Sequence, residues 1–251
     1  LCALLGVEGI DIGDTVADPA NPVALPPVTV DEPTITMVFR VNDSPMAGQE
    51  GEYVTSRQIR ARLERELERN VALRVETGES GEEFSVSGRG LLHLGVLLET
   101  MRREGYEVAV GKPRVITKEI DGRACEPIER VLIDCPESSV GQVMELLGAR
   151  RAELKHMDHR GHTTRLHFEA PSRGLIGVRS RLLTATRGEG VMSHVFERFD
   201  PVAGEIGKRP AGVLIATEPG RTTSYAVENL ADRGVLFVTP GDPVYAGQIV
   251  G

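Results

Sequence analysis

The sequence predicts an α+β protein with two consecutive units of the order βαββαβ. Two observations carry this prediction. Apolar residues alternate over short runs such as "TITMVFRVN" (34–42) and "IERVLIDCP" (128–136), which is typical of strands. Between such runs, stretches such as "SRQIRARLERELERN" (56–70) repeat apolar residues at steps of four, which is typical of amphipathic helices.

The first unit is predicted over residues 31–112. After the strand 34–42, the helix 56–70 places Ile59, Leu63 and Leu67 on one face. The remaining predicted elements are the strands "VALRVE" and "EEFSVSG", the helix "GLLHLGVLLETMRREG" ending at Gly105, and the strand "YEVAVGKP". A four-stranded sheet with both helices on one face, the ferredoxin-like split βαβ arrangement, is expected.

The second unit is predicted over residues 113–200 and repeats this order. The strand 128–136 is followed by the helix "SSVGQVMELLGARRA" and the hairpin "ELKHMDHRGHTTRLHFEAP" (153–171). A second helix follows within "APSRGLIGVRSRLLTATRGEG" (170–190), and "VMSHVFERFD" is the last strand. The sequence therefore predicts two tandem ferredoxin-like units.

The flanking segments are predicted to be β-rich and incomplete. Residues 1–30 read as the last strands of a small β-barrel and a proline-rich linker, and residues 201–251 as the start of a further domain. The chain opens with "LCALLGVEG" and no Met, so we expect it to begin inside a longer protein. No apolar run is long enough to span a membrane. The three cysteines are widely spaced, which favours a cytoplasmic location over a disulfide framework.

Charge is distributed unevenly along this acidic chain, whose formal net charge is -8. Residues 150–187 hold nine Arg and Lys, three Asp and Glu, and four of the six histidines. A basic cluster on an acidic protein favours one shaped polyanionic partner over indiscriminate nucleic-acid binding.

The helix within 170–190 is predicted to be continuous and to begin at Ser172 as its N-cap. On a helical projection, one face of this helix is apolar and is expected to be buried. Arg179 also lies on that face, so its guanidinium group must extend to solvent or pair with an acidic side chain. The opposite face presents Arg and hydroxyl side chains, the groups that hold phosphate oxygens. Gly174 and Gly177 are expected to admit another backbone closely. The apolar positions are Leu175, Ile176, Val178, Leu182 and Leu183, and the outward ones are Arg173, Ser180, Arg181, Thr184 and Arg187.

The motifs together resemble the BipA/TypA family of translational GTPases. "GRGLLHLGVLLETMRREGYEVAVGKPRVITKE" resembles the third domain of elongation factor G, and the segments 130–161 and 170–190 resemble its fifth domain. The domain that intervenes in elongation factor G is missing here, and "PSRGLIG" with the tail "GVLIATEPGRT" to "GDPVYAGQIVG" is similar to BipA/TypA. One departure is Leu91, where related factors commonly have Glu.

The resemblance implies a C-terminal region that binds the ribosome, with roles in large-subunit assembly and in stress or cold adaptation. GTP and magnesium would belong to an upstream domain absent from this chain, which would itself be no enzyme and hold no cofactor. Its partners would be ribosomal RNA, stalk-base proteins and, through the C-terminal domain, tRNA, with no membrane. The implied rRNA contacts are Arg150, Arg151, Lys155, Arg160, His162, Arg173, Arg181, Arg187 and, in the last unit, Arg221.

Two alternatives stay open at this point. The first is a fragment of an elongation factor G-type translocase. The second is a metal-dependent enzyme that uses His156, His159 and His162 of the hairpin, although residues at steps of three do not converge on a strand as they do on a helix.

Overall fold

The computed structural model describes residues 6, 10, 12–26, 32–207 and 212–251, and the chain divides into two compact units, 1–206 and 207–251. Part of the predicted barrel segment, residues 1–5, 7–9, 11 and 27–30, lies outside the described residues. Residues 12–26 form turns and extended chain without a strand. The barrel therefore stays a prediction.

The first sheet and its helices follow the element order expected from the sequence. The elements are β1 (Ile35–Arg40), α1 (Ser56–Leu67), β2 (Arg74–Thr77), β3 (Glu83–Gly88), α2 (Leu91–Arg103), β4 (Ala109–Val110) and β5 (Arg114–Val115). All pairings are antiparallel in the order β2-β3-β1-β4, and β5, which was not predicted, pairs with β1. Leu91 is exposed at the start of α2.

Helix α1 shows why this sequence forms a helix here. The Thr55 side chain accepts a hydrogen bond from the Gln58 amide, and the Gln58 side chain accepts one from the Thr55 amide, which closes a capping box. Ile59 and Leu63 are fully buried, whereas Leu67 is exposed at the end of the helix. The core of this sheet consists of Ile35, Met37, Phe39, Ile59, Leu63, Leu73, Phe84, Val86, Leu94, Leu97 and Met101.

The second sheet repeats the arrangement of the first. The elements are β6 (Lys118–Ile120), β7 (Arg123–Pro136), α3 (Val140–Gly148), β8 (Glu153–Arg160), β9 (Thr163–Pro171), α4 (Ser172–Leu175), α5 (Val178–Ala185) and β10 (Val191–Pro201). The strand order is β10-β7-β9-β8, all antiparallel, and β6 pairs with β7. The predicted α+β class with antiparallel sheets is confirmed. The core consists of Val131, Ile133, Cys135, Val143, Leu147, Leu166, Phe168, Ala170, Leu175, Val178 and Leu182.

The two sheets are joined by a short segment that carries β5 and β6. Strand β5 contacts α4 of the second sheet. The ammonium group of Lys118 pairs with Glu32 and lies 4.5 Å from the centre of the Phe199 ring. Both sheets therefore belong to one compact unit, which extends to Ile206.

The unit 207–251 contains more helix than expected. Its elements are β11 (Gly220–Arg221), α6 (Ser224–Leu230) and β12 (Pro243–Val244). Among the described residues of this unit, the longest element is α6, whose first turn is capped by the Thr223 side chain accepting from the Ala226 amide at 3.2 Å. The prediction of a β-rich unit missed this cap. Within the described parts of the chain, no helix is long and apolar enough to cross a membrane.

Candidate nucleic-acid interface

The segment 170–190 contains two short helices, so the prediction of one continuous helix is wrong. Helix α4 ends at Leu175, Ile176 is extended with ψ 118°, and Gly177 is left-handed with φ 75° before α5 begins at Val178. A left-handed residue is accessible to glycine at little steric cost. Ser172 is not the N-cap either, because Pro171 occupies that position and the Ser172 side chain is buried.

Gly174 confirms the expectation that a glycine admits a second backbone. A Cβ at this position would lie 2.4 Å from the carbonyl oxygen of Arg150 at the end of α3. No side chain fits there. Gly177 acts differently, because nothing lies within 4 Å of its Cβ position and its left-handed conformation is what the turn requires.

The break between α4 and α5 changes which side chains are buried. Val178 and Leu182 are buried, as predicted, but Leu183 is 39% exposed. Arg179 is exposed and, among the described residues, has no ion pair, which is the first of the two outcomes predicted for it, extension to solvent. A projection that treats 172–187 as one helix does not hold across Ile176 and Gly177, because these two residues are not helical.

Arg173 points inward, and its predicted place on an outward face is wrong. Its guanidinium group forms a bidentate ion pair with Glu126, whose side chain is only 2% exposed. It also donates to the carbonyl oxygens of Ala203 at 3.0 Å and Gly204 at 2.8 Å. Sequence reasoning missed Glu126. The signal for it was the position of Glu126 in the apolar run of the central strand β7, because a buried carboxylate needs a cation nearby.

Arg150 is half-buried and holds the turn after α4. Its Nη1 donates to the carbonyl oxygens of Gly174 at 3.2 Å and Ile176 at 3.1 Å, which satisfies groups left unpaired at the helix end. Burial lowers the pKa of Arg150, and the neighbouring charge of Arg181 lowers it further. Arg150 and Arg181 are therefore close neighbours of the same sign.

Lys155 and Arg151 also have partners within the chain. Lys155 lies 2.9 Å from Glu153 and 3.5 Å from Glu169, so its charge is neutralised locally. The side chain of Arg151 donates to the carbonyl oxygen of Glu205 at 3.3 Å, although most of it is exposed. These two side chains are less available to a phosphate than the sequence suggested.

Four of the predicted contacts are exposed and, among the described residues, have no side-chain hydrogen bond or ion pair. They are Arg160, His162, Arg181 and Arg187. Arg187 has a left-handed backbone with φ 53°, which directs the chain away from α5 into the loop before β10. Free, exposed guanidinium groups are the form in which arginine binds phosphate oxygens.

The predicted RNA contacts of the second sheet do not form a single patch. The turn with Arg160 and His162 lies at the end of the sheet where Thr163 pairs with Pro136. Arg150 and the α4 turn lie at the other end, where Pro171 pairs with Ile128. Eight residue steps of strand β9 separate the two ends, about 27 Å at the usual rise per residue.

Arg221, the candidate in the unit 207–251, is exposed on β11. Its Nη1 donates to the carbonyl oxygen of Gly241 at 2.8 Å, which links β11 to the turn before β12. The other N–H groups of the Arg221 guanidinium stay available to a phosphate.

The histidines of the hairpin do not converge. His156 pairs with Asp158 at 2.8 Å and lies near His167, whereas His159 lies on the other face of β8 and contacts Thr164. Within the described residues, no group of three or more His, Cys, Asp or Glu side chains could hold a metal ion. The geometry gives the metal-enzyme alternative no support.

Comparison with known proteins agrees with this architecture. Residues 123–210 match the model of the elongation factor G C-terminus, and residues 211–251 match the model of the TypA/BipA C-terminal domain. The full chain is 54% identical to the large ribosomal subunit assembly factor BipA of a Synechocystis species, 51% to that of Bacillus subtilis and 50% to that of Salmonella typhimurium. The chain belongs to the BipA/TypA family.

The BipA/TypA match distinguishes this chain from the elongation factor G alternative, because residues 211–251 match the TypA/BipA domain by name. The chain spans about two fifths of the length of these relatives, 41–42%. It also overlays on a crystal structure from Thermus thermophilus over 70% of this chain and 42% of that chain, with a TM-score of 0.45 and 16% identity. That likeness adds nothing to the family assignment.

Proposed function

We propose that this chain is the ribosome-binding C-terminal region of a translational GTPase that acts in assembly of the large ribosomal subunit. The observation that carries the proposal is the set of free, exposed basic side chains around α5 and the β8–β9 turn. They lie in a chain that is 51–54% identical to relatives named large ribosomal subunit assembly factor. The two sheets, with strand orders β2-β3-β1-β4 and β10-β7-β9-β8, would be tandem ferredoxin-like units.

The proposed rRNA surface depends on phosphate contacts. Arg181 would contact one stretch of RNA backbone, with Arg150 and Arg151 contributing charge beside it. Arg160 and His162 would contact another, toward the end of the sheet that also carries Arg187. Only four of 251 residues are tyrosine and none is tryptophan, so stacking of unpaired bases would contribute little. Recognition would therefore rest on the shape and charge of folded RNA.

Other parts of the proposal concern the longer GTPase of which this chain would be the C-terminal region. GTP binding and hydrolysis, with magnesium, would belong to a domain outside this chain, which would act as a non-enzymatic docking region in the cytoplasm. Stalk-base proteins would be further partners, and Arg221 would contact RNA or tRNA from the unit 207–251. A role in stress or cold growth stays a prediction of the family resemblance.

The test is the salt dependence of ribosome binding. The variants are Arg181→Ala and Arg187→Asn, since Asn tolerates the left-handed backbone at position 187. Each should weaken cosedimentation with large subunits and reduce the slope of log affinity against log salt by about one. Arg103→Ala is the matched control, because Arg103 is a 74% exposed arginine near the end of α2 in the first sheet. Equal behaviour of the three variants would remove the RNA assignment.

A further inference from the structure

The segment 202–206, which leads into the unit 207–251, is held against the second sheet by one buried ion pair. The Val202 amide continues the sheet by donating to the Ala124 carbonyl at 3.0 Å. Beyond it, the Ala203 amide donates to a carboxylate oxygen of Glu126 at 3.2 Å. Arg173 binds the same carboxylate and donates to the carbonyl oxygens of Ala203 and Gly204. The Ala203 backbone is therefore hydrogen-bonded at both its amide, by Glu126, and its carbonyl group, by Arg173.

Neighbouring contacts hold the rest of the segment to its end. Arg151 donates to the carbonyl oxygen of Glu205 and packs against Gly204, whose Cβ position lies 3.0 Å from a guanidinium nitrogen. Ile206 reaches the surface of Gly174, with its Cδ1 atom 3.4 Å from the Cβ position there. The segment follows a path set by side chains of β7, α4 and the end of α3.

We propose that Arg173 is a positioning residue, which with Glu126 latches the segment 202–206 onto the second sheet and fixes where the chain leaves for the unit 207–251. Arg173 is not free to bind a phosphate, because its departure would leave the carboxylate of Glu126 buried without a counter-ion. The pair thereby fixes the path of the segment 202–206 along the second sheet without touching RNA itself.

Amide exchange tests the latch directly and is independent of the proposed function. In the full chain, Arg173→Lys keeps the positive charge and the Glu126 acceptor but cannot bridge the carboxylate and two carbonyls. Exchange of the Ala203 amide should accelerate about fivefold, as for loss of one hydrogen bond. The Val202 amide is the internal control and should not change, because its partner is the backbone of Ala124. Unchanged exchange at Ala203 would overturn the latch.

Ribosome binding tests the functional consequence, which rests on the proposed function. Glu126→Gln removes a negative charge, so a purely electrostatic role of this region predicts unchanged or tighter binding to RNA. The latch instead predicts that Glu126→Gln weakens ribosome binding and leaves the salt slope unchanged. The double variant Glu126→Gln/Arg173→Ala should bind no more weakly than either single variant, because both changes remove the same ion pair. Glu145→Gln is the charge-matched control, because Glu145 is an exposed carboxylate of α3 that has no ion pair among the described residues.

The two failures are distinguishable. A response at Ala203 together with no effect of Arg181→Ala on ribosome binding would keep the latch and remove the RNA surface. Unchanged or tighter binding of Glu126→Gln, or loss of one unit of salt slope in Arg173→Ala, would overturn the positioning role of Arg173. A circular dichroism melt for each variant excludes global unfolding as the cause of weaker binding, and Arg173→Lys is the conservative variant should Arg173→Ala not fold.

Discussion

Replacement of Gly174 by Ala tests the packing of α4 against the chain at the end of α3. The added Cβ would lie 2.4 Å from the Arg150 carbonyl oxygen, whereas ordinary contact begins at 3.4 Å, so α4 and the end of α3 must separate by about 1 Å. Overpacking of this kind costs about 1–3 kcal/mol, and strain on the two Arg150 hydrogen bonds adds about 1 kcal/mol. We expect a loss of about 2–4 kcal/mol in the free energy of unfolding.

The assay is urea unfolding followed by circular dichroism, with Gly141→Ala as the matched control. Gly141 lies in α3, and nothing lies within 4 Å of its Cβ position, so alanine should stabilise the protein by about 0.5–1 kcal/mol. The two variants should therefore shift the midpoint in opposite directions. A Gly174→Ala protein within about 0.5 kcal/mol of the unmodified chain would refute the close approach of α4 to α3.

Three further substitutions probe other buried or paired groups. Arg62→Ala should destabilise the first sheet by about 1–3 kcal/mol in thermal unfolding, because the nearly buried guanidinium pairs with Glu104. Glu107→Gln should loosen the loop 42–51, measured by faster amide exchange at Gly48, since its carboxylate accepts from one side-chain amide and three backbone amides. The pKa of Glu107 is lowered by these bonds, so the loop should also loosen as the pH falls through that pKa. The hydrogen bond with Glu129 raises the pKa of His194, so the free energy of unfolding should fall by about 0.5 kcal/mol as the pH rises through that pKa. In thermal melts from pH 6 to 8, His194→Gln should abolish this pH-dependent loss of stability.

Most of the strands and helices of the two sheets could be predicted, because alternation and helical periodicity follow directly from which residues are buried. The short strands β5 and β6 could not, since two or three residues carry no detectable period. Helix α6 was missed because the Gly and Pro residues around it suggested turns, whereas its Thr223 cap is a local signal that the prediction did not weigh.

The candidate site was predicted less well than the fold, for a reason visible at residues 173–179. A helical projection needs an unbroken helix, and the left-handed Gly177 resets the phase between Arg173 and Arg179. Charge counting also treats every arginine alike. It cannot distinguish Arg173, whose partner Glu126 is 47 residues away in sequence, from Arg181, which has no carboxylate partner among the described residues.

The separation of structural from exposed arginines constrains how RNA would be bound. The carbonyl and carboxylate acceptors around the α4 turn occupy Arg150 and Arg173. Of the predicted RNA contacts in the second sheet, the arginines whose guanidinium groups have no partner among the described residues are therefore Arg160, Arg181 and Arg187. Arg160 lies at one end of strand β9, and Arg187 lies toward the same end, because Val191 of β10 pairs with Asp134. Arg181 neighbours Arg150, which lies at the other end of β9, about 27 Å away, so these groups cannot all line one narrow groove. A partner that contacts all of them must present phosphates over a broad, curved surface, as folded RNA does and a single extended strand does not. Loss of cations at one end should therefore lower the overall affinity for RNA while the contacts at the other end still form. Two substitutions, one at each end, should then have nearly additive effects on the free energy of binding.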